Sequence, residues 1–206
     1  MTCDDIRLAE LLCARMCHDL AGPTGAVING AELMDEDDPA MASEAAALMA
    51  GAAGQIAKRL RFFRAAFGWE GGAARDMGEA VRIAADFLAP LPGQPDRFKL
   101  AAEPGPALPA DGLRLLLLLV LFGSEALPRG GTLAIRATAD DIGVIAEGTG
   151  ASLGDEHRLL MSQDLSQIPA TPRTAPILLA LGVARRASWQ ISVKATPNRV
   201  ELQTKR

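Results

Sequence analysis

Arg15-Met16-Cys17-His18-Asp19-Leu20-Ala21-Gly22-Pro23 is the stretch on which both the fold and the chemistry of this chain turn. It lies inside a long helical pattern. Leu8, Leu12, Met16 and Leu20 form an i, i+4 row, continued by Val27, Ile28 and Met34. That spacing predicts an amphipathic helix from about Asp4 to Met34. Asp35-Glu36-Asp37-Asp38-Pro39 then breaks the pattern, and an acidic run closed by proline suits a turn into a new helix N-terminus. A second helical pattern, Ala40 to Phe67, carries Leu48, Ile56, Leu60, Phe63 and Phe67. Two long helices with a short connection predict an antiparallel hairpin. One hairpin cannot bury both of its apolar faces, but two can as a four-helix bundle, so a homodimer is expected.

His18 is one of only two histidines, and it sits on the first of these helices. Leu11, Arg15, Gly22, Gly25 and Asn29 share its face at i±3, i±4 and i±7 spacings. Near the imidazole that face is small or polar, and nothing bulky at Gly22 or Gly25 blocks a docking partner. Imidazole, with a reference pKa of about 6.5, is a neutral nucleophile near pH 7. Its Nε2 can attack while a carboxylate or carbonyl holds Nδ1–H, and Asp19 is placed to orient the ring or take a proton. Arg15, one turn earlier, is placed to stabilise phosphoryl charge. Pro23 lies inside the helix and is expected to kink it just after His18. Met16, Gly22, Pro23, Gly25 and Asn29 on the first helix, with Gln55, Arg59 and Phe62 on the second, are the candidate docking positions, chosen by helical phase.

Gly68 to Gly72 reads as a linker, dividing the chain into residues 1–68 and 75–206. Beyond it the pattern becomes mixed α/β. Helices are predicted over Met77–Leu88, Gly112–Leu127 and Ala175–Ala187, with a short one following Gly154. The middle helix should be buried, because its leucine run has no polar face. Strands are predicted over Arg97–Ala101, Thr132–Thr138, Ile142–Glu147, Trp189–Ala195 and Arg199–Thr204, the last two around a Thr-Pro-Asn turn. That order predicts an α/β sandwich with helices on one face of a mixed sheet, giving an α+β chain overall.

Composition excludes several functions. A net charge of −4 over 206 residues argues against general nucleic-acid binding, which needs a positive field. The local basic cluster Lys58, Arg59, Arg61 and Arg64 reads as a solvated helix face. The N-terminus lacks the basic and apolar regions of a signal peptide, and the apolar run Leu115–Phe122 is too short to span a bilayer. A soluble cytoplasmic protein with no membrane contact is expected. Cys13 and Cys17 lie at i, i+4, but His18 projects about 100° away from Cys17. No tetrahedral set is completed, so no metal site is expected, and the cysteines read as buried small hydrophobes. His157, beside Asp155 and Glu156, reads as a surface residue.

His18-Asp19-Leu20 followed by Pro23 resembles the H-box of histidine kinase dimerisation domains, in which an acidic residue, an apolar residue and a later proline follow the histidine. Over nearly its whole length the chain resembles the ChpT family of alphaproteobacterial histidine phosphotransferases. Cys17-His18-Asp19-Leu20, Asn29-Gly30 and Glu125-Ala126-Leu127-Pro128-Arg129-Gly130-Gly131 carry the likeness. The resemblance implies a dimeric helical bundle followed by a degenerate Bergerat-type α/β sandwich, like the ATPase domain of a histidine kinase. It also implies phosphotransfer through His18, from the receiver domain of a hybrid histidine kinase to response regulators of CtrA type in cell-cycle control.

The second domain departs from the kinase pattern at three places. Ser124 or Glu125 stands where kinases place the magnesium-binding asparagine. Ala146-Glu147-Gly148-Thr149-Gly150 keeps the two glycines of the adenine-binding turn but has Ala146 for the aspartate. Leu179-Ala180-Leu181-Gly182-Val183-Ala184 lacks the glycines that let backbone approach phosphates. Three failures together predict a phosphotransfer protein rather than an ATP-dependent kinase. It is expected to need no cofactor of its own, magnesium belonging to the partner receiver domain only. The rivals are an active kinase and a scaffold that docks receivers without being labelled.

Overall fold

A computed structural model of the chain describes residues 5–34, 38–68, 72–90, 94–154 and 168–206. Helix α1 (Asp5–Leu33) runs without a break through Pro23. The connection to α2 (Pro39–Ala66) ends in Asp38, whose Oδ1 accepts a hydrogen bond from Ala40 N at 2.9 Å while Pro39 occupies the first helical turn. This N-cap and proline satisfy or remove donors that a helix N-terminus otherwise leaves unpaired. The two helices cross closely at Gly30, where a Cβ would lie 2.5 Å from Met49 Cγ.

The remaining elements are built around one helix. After α3 (Met77–Leu88) and β1 (Phe98–Ala102) comes α4 (Ala110–Glu125), in which Leu115 to Leu121 are at most 1% exposed. Strands β2 (Gly131–Ala137) and β3 (Asp141–Glu147), helix α5 (Ala175–Arg186), and strands β4 (Gln190–Thr196) and β5 (Arg199–Lys205) complete the chain. The sheet order is β1-β2-β3-β5-β4, with β1 parallel to β2 and the other pairs antiparallel. Leu133, Ile135, Ile142, Val144, Val200 and Leu202 alternate along their strands and are buried. One face of the sheet therefore packs on the helices and the other meets solvent, as period-2 patterning dictates. Pro197 and Asn198 form the β4–β5 turn, and Asn198 takes φ 63°, a left-handed conformation that asparagine tolerates. The expected α+β order is present, with element ends shifted by a residue or two. The short helix expected after Gly154, and His157, lie outside the described residues.

The hairpin and the sandwich share their core. One contiguous buried cluster runs from Phe62 and Phe63 through α3, α4 and α5 to Leu202. The Phe62 ring stacks on Phe87 at 4.0 Å between centroids, and Phe63 meets Phe87 edge-on at 6.0 Å. Arg114 on α4 donates to Ala66 O at 3.0 Å and Phe67 O at 2.6 Å, closing the C-terminal carbonyls of α2. Gly68, at φ +78°, follows, and the Arg114 guanidinium fills the space a Cβ would enter.

Two expectations are corrected here. Cys13 and Cys17 are exposed, not buried. The half-buried row on α1 is Leu8, Leu12, Met16 and Leu20, and the cysteines fall on a different face with Ile6 and Ile28. The basic cluster on α2 is likewise not uniformly solvated: Arg59 is half-buried, and Arg61 pairs with Glu79 at 3.1 Å.

Glu79 gives the junction a pH dependence. Asp76 caps α3 by accepting from Glu79 N at 2.7 Å, and the Glu79 carboxylate accepts from Arg75 N at 2.9 Å. Hydrogen bonds from the Arg75 backbone and guanidinium, with Arg61 contributing, lower the Glu79 pKa from 4.5 to about 2. A lowered acid stabilises the fold above its unfolded pKa, and that stability is lost as pH falls toward the folded value. Melting temperature is therefore expected to fall between pH 4.5 and about 2, and to fall less steeply in Glu79→Gln over the same range. Parallel melting curves for the two proteins check this.

Candidate functional site

The His18 side chain stands 84% exposed on α1, while the groups behind it are covered. Its Nδ1 lies 3.0 Å from Asp19 Oδ1. A carboxylate only accepts, so this contact puts the proton on Nδ1 and leaves the Nε2 lone pair free. The other Asp19 oxygen accepts from Arg15 Nε at 2.8 Å, an i, i+4 pair within one helix. Arg15 Nη2 then reaches across to Glu125 Oε1 on α4 at 2.6 Å. Asp19, Arg15 and Glu125 are 11, 14 and 19% exposed at the side chain, so this chain of charges runs from an exposed ring into the protein.

The charges along this line are not independent. Burial works against the Arg15 charge, but Glu125 and Asp19 outweigh it and hold its pKa above the ordinary guanidinium value. Burial pushes the Glu125 carboxyl above the usual carboxylate range, and the ion pair with Arg15 pulls it back. Arg15 is thus committed to two carboxylates. One of them, Asp19, also touches the His18 ring, so Arg15 meets the imidazole through that shared carboxylate.

The docking candidates separate by burial. Gly22 and Asn29 are exposed, Gly25 is half-buried, and open space surrounds the Cα of both glycines. Met16 is half-buried against the core, and Arg59 is half-buried over the Phe87 ring at 5.4 Å. Pro23, Gln55 and Phe62 are buried, so none of them presents a docking surface. Gln55 donates its amide to Ala89 O at 2.6 Å, and Phe62 is sealed by Phe87. Helical phase placed these two on one face of α2 with Arg59, but the sandwich covers that face.

Glu125 was the residue missed as a site member. Its sequence signal was a carboxylate closing a helix just after the apolar run Leu115–Phe122, a position that needs a cationic partner. Nearby, Ser124 Oγ donates back to Leu121 O at 2.7 Å. The Gly148-Thr149-Gly150 turn is held by the β4–β5 turn: Gly150 N donates to Asn198 Oδ1 at 2.8 Å and Gly148 N to Asn198 O at 3.1 Å. Ala146, ahead of it, is fully buried.

Residues 77–199 match the family described as the histidine phosphotransferase C-terminal domain. Across 206 aligned residues the chain is 31% identical to protein phosphotransferase ChpT of Brucella abortus (strain 2308), covering 95% of this chain and 94% of that protein. The chain belongs to the histidine phosphotransferase family. A solved structure of a bacterial phosphotransferase has the same architecture from end to end, with a TM-score of 0.82 at 29% identity, covering 100% of this chain and 98% of the other. For a histidine phosphotransferase the functional requirement is a nucleophilic ring that a second protein can reach. Among the described residues no helix is long and apolar enough to cross a membrane.

Proposed function

We propose that His18 is the relay residue, accepting a phosphoryl group from the receiver aspartate of a hybrid histidine kinase and passing it to response regulators of CtrA type. The observation that carries this reading is the exposed imidazole whose Nδ1 is held at 3.0 Å by Asp19. Nε2 attacks phosphorus of the aspartyl phosphate, and the P–O bond to the aspartate breaks with its electron pair leaving on the carboxylate. The ring retains Nδ1–H, so positive charge develops beside Asp19, where a carboxylate stabilises it. The return step, onto a second receiver, reverses these bonds. Magnesium belongs to the receiver's acidic pocket, and the chain itself supplies the nucleophile and its orientation. The test is transfer of label from an acetyl-phosphate-charged receiver to the purified chain with no ATP carried over. Receiver binding without labelling would favour a docking scaffold instead.

In this reading Glu125 is a positioning residue. Glu125→Ala leaves Arg15 with one carboxylate and is expected to cost about 2 kcal/mol in urea denaturation, the range for a buried donor stripped of a partner. Glu125→Gln keeps an acceptor for Arg15 and is expected to lose less than half of that. Transfer to His18 should slow in the alanine variant and recover in the glutamine variant. Equal rates in all three proteins would remove Glu125 from the relay.

The sandwich is read as a degenerate ATPase-like domain that does not bind ATP. Ser124 bonded to its own helix, Glu125 turned to Arg15, and a glycine turn occupied by Asn198 support this. A melting-temperature shift on titrating ATP with magnesium would oppose it and favour an active kinase.

The hairpin is read as one half of a homodimeric four-helix bundle. Among the described residues the large hydrophobics left exposed are Ile6, Ile28, Met34, Met41, Leu48 and Leu60, all on the hairpin or its connection. Large apolar side chains left exposed along one hairpin support an association surface there. Ile28→Glu combined with Leu48→Glu is expected to convert a dimer to a monomer in light scattering after gel filtration. A wild-type monomer at about 10 μM, well above typical dimer dissociation constants, would overturn the assignment.

A further inference from the structure

Behind Asp19, between the hairpin and the sandwich, lies a cleft of about 280 Å³. Its walls include Arg15, Arg59 and Arg97, against a single carboxylate, Asp19, with Phe87 and Leu121 among its apolar lining. Arg15 is already paired. Arg97 donates through Nη2 to Pro128 O at 3.1 Å and lies 5.2 Å above the Phe98 ring, leaving its remaining N–H groups uncommitted to any carboxylate described. Arg59 is the anomaly. It is half-buried, its Nε is fully buried with no hydrogen-bond partner, and no described acidic side chain lies within ion-pair distance. Its contact is the face of Phe87, which offers only a weak cation–π interaction.

A guanidinium carries five N–H donors in a planar fork, and burying it unpaired is costly. The fork matches two oxygens of one anion, and the bidentate geometry suits phosphate and carboxylate equally. The uncommitted cations favour a doubly charged ligand over a single carboxylate. With Arg15 committed to Asp19 and Glu125, two guanidiniums of the lining remain without a described carboxylate at ion-pair distance, the half-buried Arg59 on α2 and the exposed Arg97 in the segment before β1. The volume sits at the lower end of small-molecule sites, so it suits a phosphate group with a short body and not a large nucleotide.

We propose that this cleft is a binding site for a small phosphate-bearing dianion, held by the Arg59 and Arg97 guanidiniums over an apolar floor. His18 is not in its lining, although Arg15 and Asp19 are shared with the site described above, and its occupancy is read without any phosphotransfer, so it stands or falls apart from the relay.

The experiment uses the full chain, titrated with inorganic phosphate and with phenyl phosphate, by calorimetry and by melting temperature, against sodium chloride at matched ionic strength. Saturable binding with a Kd of about 1 mM or tighter is expected. Tighter binding of phenyl phosphate assigns a phosphomonoester, and equal binding assigns free phosphate. Arg59→Met is expected to weaken binding about tenfold or more, while melting no lower than wild type without ligand, because it removes a half-buried guanidinium whose Nε has no partner. Arg59→Lys keeps the charge but loses the fork, and serves as the second variant if the methionine protein does not fold. Arg136→Met, whose arginine pairs with Glu103 away from the cleft, must bind like wild type. No saturable binding up to about 10 mM, or binding undiminished in the Arg59 variants, would overturn the site.

Discussion

His18→Ala protein, offered a phosphorylated receiver without ATP, is expected to take up no acid-labile label while wild type is labelled within the same mixing time. The chain has one other histidine, His157, far along the sequence, so a wild-type level of acid-labile label in the variant would move the nucleophile off α1. The effect should be all-or-none, because the lost group forms the bond. Asp19→Asn tests the neighbouring role. An amide can donate as well as accept, so the tautomer it favours is no longer the one with Nε2 free, and the developing positive charge loses its counter-charge. Transfer is expected to slow about 100-fold, the lower end of the range for positioned acid–base groups. Binding of the receiver should change little. The pair of results separates bond formation from orientation: alanine at 18 ends labelling, and asparagine at 19 delays it.

Phe62→Ala is expected to be the most destabilising single change on the hairpin, at about 3–5 kcal/mol. The ring is 0% exposed, stacks on Phe87 at 4.0 Å and meets Phe63 at 6.0 Å edge-on. Truncation opens a cavity where α2 meets α3 and α4, so the loss includes the contacts that join hairpin to sandwich as well as transfer of the ring to water. Denaturant unfolding reads the loss directly. A second consequence distinguishes this role from docking. A docking residue, once removed, weakens receiver binding and leaves the denaturation midpoint in place. For Phe62 the midpoint should move, and at low temperature, where the variant is still folded, receiver affinity should be close to wild type. A variant as stable as wild type that no longer bound receivers would return Phe62 to the docking surface.

These two residues also show how far the sequence could be read. His18, with Asp19 beside it and Pro23 five positions on, is a local pattern, and its place on a long first helix follows from the i, i+4 row at Leu8, Leu12, Met16 and Leu20. Local physics also placed the elements of the sandwich. Asp38-Pro39 and Asp76 cap helices, the leucine run of α4 has no face for water, and period-2 alternation marks β2, β3 and β5. Each of these signals lies within a few residues of the structure it specifies.

What covers each helix face is a different kind of information. Helical phase puts Gln55, Arg59 and Phe62 side by side on α2 whether that face meets solvent, a receiver or another domain. Only the packing of α3 and α4 against it seals Phe62, ties Gln55 to Ala89 O and leaves the Arg59 Nε buried without a partner. In the same way, Cys13 and Cys17 read as core by residue type, yet the protomer leaves their face uncovered. The bond from Arg15 to Glu125 spans 110 positions of sequence and is made at 2.6 Å. The sequence by itself determined the helices, the strands and the place of His18 on the first helix, because caps, turns and periodicity act between near neighbours. The tertiary structure alone decided which buried charges stand behind that histidine, because a side chain's burial is set by elements distant in the chain that fold over it.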